Sequence, residues 1–503
     1  MAGAHSGGGS KQLASGAIGL REVLFQSITS MAPAGAVALS IAAGATYAGG
    51  ALPLSVLLAL VGCLLVASSI GQLAKHLPSA GSIYTYPAEG IHPALGFLVG
   101  WGYALVEALI GPITMILFGY LFASVMQTEA NWPFTTTWVI VMILGALVIA
   151  VLNFRGVKLS AKTGTVLGTI EIIIFVALAI FLIIKAGSGN TVSVFSLHYA
   201  TIKGYHGFSG IVAGSIYTIL AFIGFEASAP LAEEARNPRR TIGMAVLFSC
   251  LGIGLFYVLT TYAGDVFTGP DKFVSFGALG GGSPWIQLAR DAWGIGWVVA
   301  FVAIWNSTFA NGNAGTLAAT RTWFAMSRIG VLPSPLARTH PSRKSPTVGV
   351  VLQLVITLAV GLPLGIHFGP VTAFVFLATI LTAIMVAIYM IFNLSCLLFY
   401  ARKARSEFNL LLHGIIPVLG IVAFLPAWFT AMGIGGSVLK FVAPLSYPSS
   451  EAGLGIGIWY LIGVIALVYL YVKHPARLGE MKRVFDETPA APAAEPIATG
   501  ETI

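Results

Sequence analysis

Twelve apolar runs punctuate the chain, most of them close to the ~20 residues that a helix needs to cross a bilayer core. They fall at roughly 24–45, 52–73, 94–125, 135–153, 163–184, 209–231, 242–264, 294–325, 347–365, 370–400, 410–432 and 455–472. Hydrocarbon offers no partner to a backbone N–H or C=O, so runs of this kind fold as helices that satisfy their own peptide groups. The expected fold class is an all-α integral membrane protein with 12 transmembrane helices. Composition agrees: 57% of residues are hydrophobic, 9% are charged and the mean hydropathy is +0.89. A soluble domain carries about a quarter charged residues.

The positive charges order the chain across the membrane. With the N-terminus inside, 21 of the 26 Lys and Arg residues fall in inside segments; Lys185, Lys203, Lys272, Arg290 and Lys440 fall outside. That bias is the positive-inside pattern, and it places both termini in the cytoplasm. It also explains the net charge of +8 without nucleic acid, since no basic cluster is interleaved with exposed aromatics. The expected organisation is a cytoplasmic N-terminal tail (1–23), a ten-helix core (24–403), helices 11 and 12 (404–475) and a disordered cytoplasmic tail (476–503), rich in Ala, Pro and Glu.

Two spans are interrupted. The first contains "SITSMAPAGAVALS" (Ser27–Ser40), with Pro33 and Gly35 in its middle; the sixth contains "AFIGFEASAP", with Gly224, Glu226 and Pro230. Either alone reads as a kink or a packing site, because Gly and Pro are common in membrane helices. Paired at spans one and six, they match a five-helix unit repeated with inverted topology, whose broken helices hold the solute. Amides freed at the start of a half-helix favour an anion, and carbonyls freed at the other break accept from an ammonium. A zwitterion carries both groups.

Longer motifs carry a family resemblance. Phe222–Glu226 followed by "EEARNPRR", "LPSAGSIYTYPAEGIHPALGFLVGW" (Leu77–Trp101), "NFRGVKLS" (Asn153–Ser160) and "ATRTWFAMSRIGVLP" (Ala319–Pro333) occur in this order. Together they resemble the amino acid–polyamine–organocation (APC) superfamily, amino acid permeases among them. The resemblance implies a LeuT-like core of five plus five inverted helices with two C-terminal helices, working by alternating access. It implies that a substrate carboxylate meets Ser30, Ala32, Pro33, Ala34 and Gly35, with no N–H from Pro33. The ammonium then lies near the carbonyls of Leu220, Ala221, Phe222 and Ile223 beside Gly224, with Phe222 or Phe225 closing over the solute. Tyr103 and Glu226 match the family's cytoplasmic closure. "MAPAGA" replaces the usual glycine cluster of helix one, Gln72 stands where many members have an acid, and Ile329 where the loop often has Asp.

Glu107, Glu171 and Glu226 fall within expected spans. A charged carboxylate at the bilayer centre costs roughly 2.5–3.5 kcal/mol or more, so each needs a role or a partner. A neutral, hydrogen-bonded structural acid is the plain alternative. Proton-coupled relatives often carry a lysine at the position of Glu171, which makes Glu171 and Glu226 the candidate proton sites for coupled uptake; a uniporter or exchanger is the alternative. Sodium coupling would instead use the oxygens of Ser307, Thr308 and Asn311. A polyamine or other organic cation is the rival substrate, with Glu107 and Glu226 as its counter-charges.

Other chemistries find little support. "AKTGT" (Ala161–Thr165) resembles the phosphorylation motif of P-type pumps but has Ala161 where the nucleophilic Asp belongs. Neither a Gly-Lys-Ser/Thr phosphate loop nor a His-Glu-x-x-His zinc helix occurs, so no cofactor or metal is expected. "NST" (Asn306–Thr308) is a sequon inside a span. Cys63, Cys250 and Cys396 lie in apolar runs and read as small core residues. No convergent nucleophile and base point to an intramembrane enzyme, and no repeated filter or ring of like charges points to a channel.

Overall fold

The computed structural model describes residues 19–475 apart from 80, 156–160, 233–234, 329, 341–344, 435, 437–438 and 440–441. Expectations for most of the N-terminal tail, the tail after 475, Ile329 and parts of the "NFRGVKLS" and "EEARNPRR" segments lie outside the described residues.

Helices follow the apolar runs closely. In chain order they are α1 (Leu20–Met31), α2 (Pro33–Gly35), a π-helical stretch (Ala36–Ile41), α3 (Ala42–Ala48), α4 (Leu52–His76), α5 (Ser82–Gly90), α6 (Pro93–Ala130), α7 (Phe134–Arg155) and α8 (Ala161–Ala186). There follow the hairpin of β1 (Thr201–Ile202) and β2 (Tyr205–His206), then α9 (Phe208–Phe222), a 3₁₀ segment (Phe225–Leu231) and α10 (Pro238–Thr268). The remainder comprises α11 (Leu279–Gly282), α12 (Pro284–Trp293), α13 (Trp297–Arg328), α14 (Thr347–Phe368), α15 (Pro370–Arg402), α16 (Ile416–Ala431) and α17 (Ala452–Lys473).

Among the described residues, eleven helical stretches are long and apolar enough to cross a membrane. The first, Leu20–His76, is 57 residues long and contains both of the first two expected spans. Straight, it would extend about 86 Å, nearly three times a bilayer core. It is not straight. Ala32 adopts left-handed backbone (φ 46, ψ 67) between α1 and α2, and Gly49 (φ 56, ψ −141) ends α3 ahead of α4.

Small residues let the helices approach. A Cβ on Gly71 of α4 would sit 3.4 Å from the Cα of Gly243 on α10, so these helices cross almost backbone to backbone. Helix α6 runs for 38 residues through the interior with most of its side chains buried. By contrast, α7, α8, α16 and α17 expose Val, Leu and Ile side chains, as a surface meeting lipid does. Helix α17 is fastened to α6 by reciprocal indole bonds: Trp101 Nε1 donates to the Trp459 carbonyl and Trp459 Nε1 to that of Trp101, each 3.0 Å, with the rings stacked at 4.8 Å.

Candidate functional site: the junction of two broken helices

Both interruptions expected from the sequence are present, and they touch. Helix α1 ends at Met31, and a new helix begins with Pro33 at its first position, where the missing N–H costs nothing. Being first-turn residues, Ala34 and Gly35 present amides with no intrahelical acceptor. Helix α9 ends at Phe222, and Gly224 (φ 116) redirects the chain into the 3₁₀ segment. A Cβ on Gly224 would lie 2.8 Å from the Ser30 carbonyl carbon and 2.9 Å from its Cβ. Only a residue without a side chain fits there, on both conformational and steric grounds.

Hydrogen bonds join the two breaks. The Ser27 hydroxyl donates to the Phe225 carbonyl at 2.7 Å and accepts from the Ser228 N–H at 3.2 Å. The Tyr257 hydroxyl of α10 lies 2.9 Å from the carbonyl oxygens of both Met31 and Ala221. Glu226 is spent on the same structure, its Oε2 accepting from Gly224 N–H at 3.1 Å and from the Tyr389 hydroxyl at 2.8 Å. A buried carboxylate bonded in this way braces the break.

A cavity of about 80 Å³ opens where the breaks meet. Of the twelve residues expected at a substrate site, Ser30, Ala32, Gly35, Leu220, Ala221 and Ile223 line it. Pro33, Ala34, Tyr103, Phe222, Gly224 and Phe225 do not. Phe222 is fully buried against Tyr257 and Phe225 against Tyr389, with ring centroids 5.3 and 5.2 Å apart. Tyr103 lies one helical turn from Glu107 on α6, both of them buried. The far wall comes from Ile110, Ile113, Thr114 and Leu117 of α6, Thr308 and Asn311 of α13, and Phe374 and Leu381 of α15.

The membrane acids differ in their surroundings. Glu171 on α8 accepts from Asn306 Nδ2 at 2.6 Å, two residues before the cavity-lining Thr308. Glu107 Oε2 has no hydrogen-bond partner among the described residues. A fourth acid escaped the sequence reading: α10 continues to Thr268, four residues beyond the expected end of its span, and buries Asp265 with both carboxylate oxygens unpartnered among the described residues. Its position next to an apolar run was the available signal. Tyr257, Ser27 and Tyr389 carried none, since nothing in their local sequence separates a bridging hydroxyl from core packing.

An integral membrane protein with a solute-sized cavity at the meeting point of two interrupted helices belongs to the class of membrane carriers. The model of the amino acid permease family matches residues 22–477, and the chain belongs to that family, whose members are transporters rather than enzymes. Named relatives differ in what they carry. The chain is 28% identical to the low-affinity putrescine importer PlaP of Escherichia coli over 336 residues, 65% of this chain and 72% of that protein. It is 26% identical to the branched-chain amino acid permease BcaP of Lactococcus lactis over 454 residues, 85% of this chain and 88% of that one. With the cationic amino acid transporter 4 of mouse the identity is 27%, covering 66% of this chain and 54% of the mouse protein.

Proposed function

We propose that the chain is a secondary transporter that carries an amino acid through the cytoplasmic membrane by alternating access, holding it as a zwitterion between the two breaks. The observation that carries this reading is the opposed polarity of the two chain ends at one cavity. The first turn of the Pro33 helix offers amides, through Gly35, and the last turn of α9 offers carbonyls, through Leu220 and Ala221. Helix starts favour negative charge and helix ends positive charge, so the pair suits a carboxylate and an ammonium on one small solute. On this reading Leu20–His76 counts as two spans, the total is twelve in a LeuT-like inverted repeat, and both termini are cytoplasmic.

Uptake is coupled to protons through Glu171. Its carboxylate is tied to Asn306 on the helix that also lines the cavity, so a change in its proton occupancy reaches the cavity wall within one helical turn. Tyr103 and Glu107 of α6, with Glu226 of the 3₁₀ segment after α9, form the inner closure on this reading. Full-length protein reconstituted into vesicles should exchange an internal amino acid for labelled external amino acid, and absence of any exchange overturns the carrier reading. Glu171→Gln should abolish the pH dependence of net uptake while leaving exchange intact, and unchanged pH dependence removes Glu171 from the coupling. Loss of uptake when choline replaces sodium would favour sodium coupling instead.

A further inference from the structure

Taking the cavity as the carrier's substrate site, we infer that its solute has an uncharged, aliphatic side chain, and that cationic amino acids and polyamines are excluded. Among the described residues that line the cavity, none carries a charge. Three of the five polar ones direct their hydroxyl protons to their own helices and leave the cavity only neutral oxygens, with no negative charge. Thr114 Oγ1 donates to the Ile110 carbonyl at 2.7 Å, Thr308 Oγ1 to that of Ile304 at 2.8 Å, and Ser30 Oγ to that of Gln26 at 2.9 Å. Each hydroxyl thus turns its proton toward its own helix.

Ser40 and Asn311 complete the polar lining, and the larger part of the wall is apolar, including Leu39, Ile110, Ile113, Leu117, Phe374 and Leu381. An apolar side chain gains by burial against such a wall. A second ammonium, as in lysine or putrescine, would be stripped of water with no carboxylate to receive it. The nearby acids do not supply one. Glu226 is held by Gly224 and Tyr389, Glu171 by Asn306, and Glu107, although Oε2 is unpartnered, is not part of the lining.

The experiment is competition in exchange-competent vesicles of the full chain, with L-leucine, L-valine, L-alanine, L-lysine, L-arginine, L-glutamate and putrescine as competitors. The aliphatic set should compete at least 100-fold more effectively than lysine, arginine, glutamate or putrescine. The variant Ile113→Asp, which adds a carboxylate to the wall, should shift the leucine-to-lysine preference at least tenfold toward lysine. Thermal stabilisation of the unaltered protein by leucine but not by lysine gives the same answer should that variant fail to fold. Equal or better competition by lysine or putrescine, particularly if Glu107→Gln removes it, overturns the substrate class while leaving the carrier reading standing. Exchange of no amino acid at all overturns both.

Discussion

Gly224 carries more structural consequence than its size conveys. Its left-handed backbone and its contact with Ser30 are independent reasons why the break tolerates no side chain. Forcing an L-residue into that conformation costs about 1–2 kcal/mol before any clash is counted. Gly224→Ala should therefore lower vesicle uptake tenfold or more. Gly252→Ala is the matched control, because a Cβ there meets nothing within 4 Å, and it should transport like the unaltered protein. At this scale the sequence was partly legible. Gly224 and Pro33 announce themselves, since few other reasons bring such residues to the middle of an apolar run. The phenylalanines beside Gly224 were less readable: an aromatic next to a break can face the solute or the core, and burial of Phe222 and Phe225 against Tyr257 and Tyr389 is decided by residues far away in sequence.

Helices were the most legible elements, because hydrocarbon makes apolar length and helical length nearly the same quantity. The expected run 135–153 corresponds to Phe134–Arg155, and 370–400 to Pro370–Arg402. Irregular elements were not legible. The π-helical stretch Ala36–Ile41 has no local sequence mark, and the 3₁₀ segment Phe225–Leu231 depends on bonds supplied by other helices, such as that of Ser27 to Phe225. Element pairing was equally hidden, and the junction of α17 with α6 is the clearest case. Trp459→Phe deletes one indole donor and removes the interhelical bond to the Trp101 carbonyl, which keeps its place in the α6 ladder. The expected loss is on the order of 1–2 kcal/mol, seen as a lower melting temperature in detergent with KM for exchange unchanged. A raised KM would instead connect α17 to the site.

For the whole molecule, the charge partition is the sequence signal that sets the expected orientation. Ion pairs gather at opposite ends of the structure. Arg290 meets Glu129 at 2.6 Å beyond the C-terminal half of α6, whereas Lys403 meets Glu89 at 2.5 Å and His76 meets Glu407 at 3.0 Å near its start. Exposed pairs of this kind contribute little energy, yet their grouping agrees with the partition of lysines and arginines. The native cysteines are all buried, so a single introduced thiol reports sidedness cleanly. Lys272→Cys should react with an impermeant maleimide added outside intact cells, and Arg405→Cys only after the cells are opened. The reverse pattern would invert the molecule and the direction of uptake with it.

Tyr257 has a consequence set by counting. Its hydroxyl owns one proton but stands at equal distance from two oxygens, one on each interrupted helix. One proton thus serves two carbonyls, so each is left with spare capacity to accept. On the proposed reading, an ammonium docked at the junction would supply a second donor and tie both interrupted helices to the same solute.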